Sequence, residues 1–335
     1  MYREAAEAAG AVRAQIERNG EAMRDLGAAL RRLAPRAVVT CARGSSDHAA
    51  TYGRYLVETR LGVLTASAAP SVASVYRAQQ DLRDCLFIAI SQSGAGPDIL
   101  AAVEAARESG ARIVALVNDE DSPLAAAAHH CLPLCAGREE SVAATKSYIA
   151  SLAALAHLVA EWAGDEALLG AVRSLPTQLE QAWRLSWEPG VEPLRDASHL
   201  YVIARGVGLG VAQEAALKCK EACGLHAESF SAAEVRHGPE ALLRAGFPVL
   251  VLAQDDETRA GVEAMARELA ARGARVLCAG VKVTGALELP ALAAHPAVQP
   301  ILLGQSFYRL ANSLAVARGY DPDHPPHLHK VTRTL

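Results

Sequence analysis

"CLFIAISQSGAGPDILAAVEAARESG", residues 85–110, carries the pattern that decides the fold. Six apolar residues from Cys85 to Ile90 run without a polar break, as they do in a strand buried on both faces. Ser91, Gln92, Ser93, Gly94 and Gly96 then crowd a few positions, and helical spacing of apolar residues follows from Asp98. "ARIVALV" at 111–117 is the next buried strand, and "AVVTCA" at 37–42 is an earlier one. Strand and helix in strict alternation imply parallel strands joined by right-handed crossovers. Upstream, the segment to about Leu33 has the spacing of a long amphipathic helix, ended before Pro35.

The second half restarts the pattern. "CARG" at 41–44 returns as "IARG" at 203–206, an offset of 162 residues, and "GARI" at 110–113 returns as "GARV" at 273–276, an offset of 163. Matches in the same order at nearly constant offset predict a duplicated α/β unit, divided here as residues 1–175 and 176–335. Each copy is expected to be a parallel sheet flanked by helices in three layers. Helical stretches between about 142 and 197, interrupted at Pro176 and at "EPGVEP", are expected to connect the copies.

The chain of 335 residues is 51% hydrophobic, enough for two substantial cores. A formal charge of -4 with 21% charged residues gives no basic field for nucleic acid or an acidic membrane, and neither is an expected partner. Seven cysteines, an odd number among apolar neighbours, read as buried free thiols of a reducing cytoplasm rather than a disulfide framework. The N-terminus mixes acids and bases without an apolar core, so no secretory signal is expected, and no later run is long enough for a bilayer.

In a parallel sheet, ligands bind where strands end and helices begin. "SQSG" occupies such an end, where free backbone N–H groups, glycine and hydroxyls together suit a phosphate. "RGSSD" at 43–47 is a second hydroxyl-bearing turn, and neighbouring strands would put Ser45 and Ser46 beside Ser91, Gln92 and Ser93. At the offset of 162, the second copy replaces Ser91, Ser93, Ser45 and Ser46 by Ala253, Asp255, Val207 and Gly208, so only the first copy is expected to hold a phosphate. The alternative is that "SQSG" is a plain strand-to-helix turn, because Ser and Gly are common there. The chain has neither the Gly-Lys-Ser/Thr ending of a P-loop nor a G-x-G-x-x-G after a strand, so a monophosphorylated metabolite is favoured over a nucleotide.

Three features of the second half look chemical. "EAALKCKEACG" puts Glu214, Lys218 and Glu221 on one helical face, as either a reactive cluster or a solvated salt-bridge stripe. "HAESFSAAEVRHGP" gathers His226, Glu228, Glu234 and His237, the last preceding Gly-Pro, as either an accessible acid-base group or a capped structural histidine. The tail "DPDHPPHLHKVTRTL" holds His327, His329 and Lys330 without a matching carboxylate cluster, so no metal or other cofactor is expected. Lys330 matters where the tail folds back over a site and desolvation favours imine chemistry.

With "RGSSDHA", "SQSGAGPD", "ESVAATKSY", "EAALKCKEACGLHAESFSAAEVRHGP" and "HLHKVT" in this order, the chain resembles the tandem sugar-isomerase (SIS) domain family over nearly its whole length. Within it, the chain resembles the isomerase half of glutamine–fructose-6-phosphate aminotransferase and stand-alone glucosamine-6-phosphate deaminases of that fold. The resemblance implies that Ser46, Ser91, Gln92 and Ser93 hold a sugar phosphate and that backbone around Val142 lines the sugar pocket. It further implies that Glu221 moves a proton between C1 and C2 and that His237 assists ring opening in the neighbouring subunit of a homodimer. Lys330 would form an imine with, or otherwise engage, the open-chain sugar, and Lys218 matches a family lysine near the carboxylate.

Against the synthase, the chain enters the first helix directly from Met1-Tyr2-Arg3, so no glutamine hydrolysis is expected. Gly96, Ala144 and Pro326 stand where the synthase has threonine, serine and arginine. The loop and tail changes resemble the stand-alone deaminases, and a different amino-sugar or an Amadori-product substrate is also compatible with them; the reading favoured is an amino-sugar-phosphate deaminase with aldose–ketose isomerase chemistry. A synthase isomerase component, a fructosamine-6-phosphate deglycase and a non-catalytic sugar-phosphate sensor are the other readings.

Overall fold

The structure is a computed structural model that describes residues 1–330; Val331 and Thr332 of the terminal motif lie outside the described residues. The first half runs α1 Tyr2–Ala6, α2 Ala8–Leu33, β1 Ala37–Cys41, α3 Ser45–Leu61, β2 Thr65–Ser67, α4 Ser71–Ser74, β3 Cys85–Ser91, α5 Pro97–Glu108, β4 Arg112–Val117, α6 Pro123–Ala127, β5 His130–Pro133 and α7 Lys146–Ala163. The second continues with α8 Glu166–Arg184, α9 Val191–Arg195, β6 His199–Ala204, α10 Leu209–Cys223, β7 His226–Ser231, β8 Pro248–Leu252, α11 Arg259–Ala271, β9 Arg275–Ala279, β10 Leu287–Leu289 and α12 Gln299–Ala317.

Both sheets have five strands, in the orders β2-β1-β3-β4-β5 and β7-β6-β8-β9-β10, and every pairing is parallel. Counted within each copy, the strand order is the same, so the duplication inferred from two short repeats is a duplication of topology. β3 is buried at all seven positions, with Cys85–Ala89 paired to Ala37–Cys41 of β1 and Leu86–Ser91 paired to Arg112–Val117 of β4. One face of the first sheet, with Phe87, Ala89, Ile113 and Ala115, packs on Ile99, Ala102, Val103 and Ala106 of α5. In the second sheet Val249, Val251 and Val276 pack on Val262, Met265 and Leu269 of α11. Helices α3 and α7 in the first unit, and α10 and α12 in the second, pair with one another.

The chain divides into two compact units, each described by itself below. The first-sheet unit comprises Gly10–Glu139, Lys146–Arg173 and the chain from His329; the second-sheet unit comprises Met1–Ala9, Glu140–Thr145 and Ser174–Leu328. The expected interruption at Pro176 does not occur, because α8 runs straight through it. Proline there deletes one amide donor and crowds the Val172 carbonyl, at a cost of about 3 kcal/mol in a helix interior. The stripe Leu168, Leu169, Val172, Leu175, Leu179 and Ala182, all buried, offsets that cost. The helix ends at Arg184, and "EPGVEP" beyond it forms a short turn and the start of α9. All seven cysteines are free; Cys131 and Cys135 are only half-buried, unlike the other five. Among the described residues no helix is long and apolar enough to cross a membrane.

Helix α7 is buried along nearly its whole length, including His157. Burial, reinforced by Arg173 and Arg24, pushes the His157 imidazole from 6.5 down to about 4. The folded chain therefore keeps His157 neutral at a pH where the unfolded chain protonates it. Its effect on stability is nil above the unfolded value of 6.5, grows as pH falls through the window from 6.5 to about 4, and is complete below it. His157→Leu is expected to remove an acid-side loss of about 3 kcal/mol between pH 7 and pH 4, read from urea unfolding midpoints at the two pH values.

Candidate active site

In the first-sheet unit β1 and β3 are neighbours, so the turns that follow them lie side by side at the carboxyl edge. Ser45 and Ser46 open α3, with Gly44 at φ 54° before them. Ser91 ends β3 and its hydroxyl accepts the Gly94 N–H at 3.0 Å, which shapes the turn while leaving the hydroxyl proton free to be donated. Gly94 has φ 61°, and a Cβ there would lie 2.2 Å from Ser122 Oγ, so no side chain fits. Gln92 and Ser93 are half-buried in the same turn. The structure thus brings together the five residues Ser45, Ser46, Ser91, Gln92 and Ser93 on adjacent turns.

Two charged residues of this edge were missed from the sequence. Arg43 donates through Nε at 2.8 Å to Asp98 Oδ2 and pairs through Nη2 at 2.7 Å. Asp98 is buried in the first turn of α5, where a carboxylate suits the helix dipole, so the ion pair ties one hydroxyl turn to the other. Asp47, in the first turn of α3, is the second. Burial raises its carboxyl above the usual value, against the lowering by His48, Arg43 and a Ser67 hydrogen bond. The first copy therefore carries carboxylates at this edge as well as hydroxyls. "RGSSD" and "GPD" displayed both residues, but nothing local indicated that Arg43 would reach Asp98 across two strands.

The matching edge of the second-sheet unit is filled from within. Gln254 Nε2 lies 2.8 Å from the Arg205 carbonyl, 2.8 Å from Asp256 Oδ2 and 3.0 Å from Thr258 Oγ1. A Cβ on Gly208, at the end of the turn after β6, would lie 2.5 Å from Gln254 Oε1. A side chain occupies the turn that in the first copy is built from serines.

On α10 the stripe Glu214, Lys218 and Glu221 is not a solvated one. Lys218 has a fully buried side chain, with Nζ 3.0 Å from Glu214 Oε1 and 2.7 Å from Glu221 Oε2. Glu214 is buried and also accepts the Tyr308 hydroxyl at 3.0 Å, whereas Glu221 is 23% exposed. Burial by itself would lower the Lys218 pKa, but Glu214 and Glu221 together hold it above the ordinary lysine value. The ammonium stays charged and enclosed, in contact with both Glu214 and Glu221. The result is one partly exposed carboxylate held at a fixed place by a buried cation, an arrangement suited to moving a proton.

His237 lies apart from this trio in sequence, on a turn between Glu234–Arg236 and Pro239–Leu242. The residue is exposed, and among the described residues its ring makes no hydrogen bond or ion pair. Val142 is half-buried and donates its N–H to the Asp323 carbonyl at 3.2 Å. Lys330 is in the first-sheet unit, where Nζ lies 3.6 Å from the buried Glu139 Oε2. Among the described residues, no group of three or more His, Cys, Asp or Glu is arranged to hold a metal.

Residues 34–160 and 193–287 match the SIS domain family, one segment around each sheet. The chain belongs to that family. It is 36% identical over 311 residues to glutamine–fructose-6-phosphate aminotransferase [isomerizing] of Aeropyrum pernix, which covers 86% of this chain and 49% of that protein. This SIS chain spans about half the length of the curated relatives it matches. A Silicibacter pomeroyi protein proposed to be a phosphosugar isomerase superposes with a TM-score of 0.93 at 42% identity, covering 96% of this chain and 99% of that one. Glucosamine-6-phosphate deaminase of Thermotoga maritima superposes with a TM-score of 0.75 at 25% identity, covering 97% and 100%.

Removing one partner of a buried ion pair strands the other charge. Lys218→Met is expected to lower stability by about 3–5 kcal/mol in urea unfolding, and adding Glu214→Gln to recover part of the loss. Because the Lys218 pKa is raised, the contribution is fully present below the unfolded value of 10.5 and is lost only as pH rises above it.

Proposed function

We propose that the protein is an amino-sugar-phosphate deaminase and isomerase that converts glucosamine 6-phosphate into fructose 6-phosphate and ammonia. The observation that carries the reading is the partly exposed Glu221 carboxylate held 2.7 Å from the buried Lys218 ammonium. The paired serine turns of the first-sheet unit support a phosphorylated substrate, because hydroxyls and helix-start N–H groups favour a phosphate. The likeness to a glucosamine-6-phosphate deaminase over 97% of this chain and 100% of that one supports the choice of reaction.

In this reading Ser45, Ser46, Ser91, Gln92 and Ser93 anchor the phosphate, and backbone near Val142 lines the sugar. His237 assists ring opening to the aldehyde. Glu221 takes the proton from C2 and returns it to C1, while a proton passes from the ammonium to the former aldehyde oxygen. The C2 amine has then become an iminium and C1 carries a hydroxyl. Water adds at C2 and ammonia leaves, giving the ketose. Lys330 engages the open-chain sugar, and anchoring through the phosphate fixes the reacting carbons. Lys218 sets Glu221 in place. We extend the proposal to a cytoplasmic homodimer in which His237 serves the partner's sugar.

The identity to isomerizing aminotransferases favours a second reading, the isomerase half of glucosamine 6-phosphate synthesis. The test is release of ammonia and fructose 6-phosphate from glucosamine 6-phosphate by purified protein without glutamine, beside Glu221→Gln. Equal amounts of both products are expected, with turnover at least about a hundredfold lower in the variant and binding retained. Ketose–aldose interconversion without ammonia would favour the second reading, and tight binding without turnover would make the protein a sensor.

A further inference from the structure

We infer that Glu139 is a positioning residue that docks the Lys330 ammonium at the start of α7 in the first-sheet unit. The inference rests on the role proposed for Lys330, which no local feature of the tail explains. After Gly319 the described chain has no regular secondary structure, and side-chain and backbone contacts such as the Val142 N–H on the Asp323 carbonyl hold it in place. Lys330 meets a carboxylate with no exposed surface, Glu139, at 3.6 Å, while Lys330 itself is 26% exposed.

Glu139 is fixed independently of the tail. Its Oε2 accepts the Ser147 hydroxyl at 2.6 Å, and its Oε1 lies 3.4 Å from the Ser147 N–H in the first turn of α7. The first turn of a helix leaves N–H groups unbonded and carries positive potential, so a carboxylate is favoured there. A buried carboxylate still carries a desolvation cost that a nearby cation reduces. Lys330 supplies such a cation, and 3.6 Å is ion-pair range but longer than a normal hydrogen bond. The ammonium is thereby placed beside the buried carboxylate while its side chain keeps partial exposure. Nothing in "ESVAATKSY" pairs its neighbouring glutamate with a lysine nearly two hundred residues later, so the contact belongs to the tertiary structure alone.

The test compares acetylation of Lys330 by N-hydroxysuccinimidyl acetate, followed by mass spectrometry, in the parent protein and in Glu139→Gln, Glu139→Asp and Ser147→Ala. Exposed Lys282 serves as the internal reference. Glu139→Gln keeps the acceptor for Ser147 but removes the charge, and is expected to raise Lys330 labelling about threefold, the scale of a partly exposed ion pair. Glu139→Asp keeps the charge and restores most of the protection. Ser147→Ala loosens the carboxylate without removing it and carries the test if Glu139→Gln does not fold. In turnover, Glu139→Gln is expected to lower kcat about tenfold with KM within about twofold, because the phosphate turns are untouched. Labelling unchanged in both Glu139→Gln and Ser147→Ala overturns the inference. Raised labelling with full turnover in Lys330→Met leaves the docking standing and removes the role proposed for Lys330.

Discussion

An ammonium with no exposed surface sits on α10 between two carboxylates, and the chemistry open to the second-sheet unit depends on it. Lys218 is held charged by Glu214 on one side and Glu221 on the other. Taking such charges out of water costs several kcal/mol per ion, and only close, multiply bonded geometry offsets that cost. Here the spacing of a helix supplies the geometry, since residues three and four apart share a face. The Tyr308 hydroxyl on Glu214 satisfies a further acceptor from α12. The outcome is asymmetric: Glu214 is enclosed, while Glu221 reaches partial exposure with one oxygen already tethered. A carboxylate that is both tethered and accessible can exchange a proton without first being ordered.

The first-sheet unit follows a different constraint, the convergence of parallel strand ends. Because β1 and β3 are neighbours, the turns after them face the same space, and Arg43 with Asp98 locks one to the other. Duplication provides the contrast. The second sheet has the same strand order, but the Gln254 amide nitrogen lies within hydrogen-bond distance of three oxygens, including the Arg205 carbonyl in the turn after β6. Identical topology has produced one turn pair built from serines and one filled by its own amide. What separates them is a handful of side chains, since the frame is common to both.

Much of the fold was legible in the sequence. The runs at 37–42, 85–90 and 111–117 are β1, β3 and β4 within a residue, because strands buried on both faces leave an unbroken apolar signature. Pro176 misled, because its local penalty is overcome by a buried stripe that extends on both sides of it. The stripe Glu214, Lys218 and Glu221 was visible, but its burial was not: spacing fixes which residues share a face and is silent on what covers that face. Arg43 with Asp98, and Glu139 with Lys330, were illegible for a related reason. Each joins segments that no periodicity connects.

The sequence by itself determined the alternation of strands and helices, the duplication, the family, and the residue types at the turns and on α10. These follow from short-range physics: apolar periodicity, turn chemistry and motifs in order. Only the tertiary structure decided that Lys218 is enclosed rather than solvated, that Gln254 closes the second copy's turn, that His237 is exposed, and that the tail lysine rests on Glu139. Those outcomes depend on which distant surfaces exclude water from a charge. Desolvation is a property of the packed chain, and no local stretch of residues encodes it.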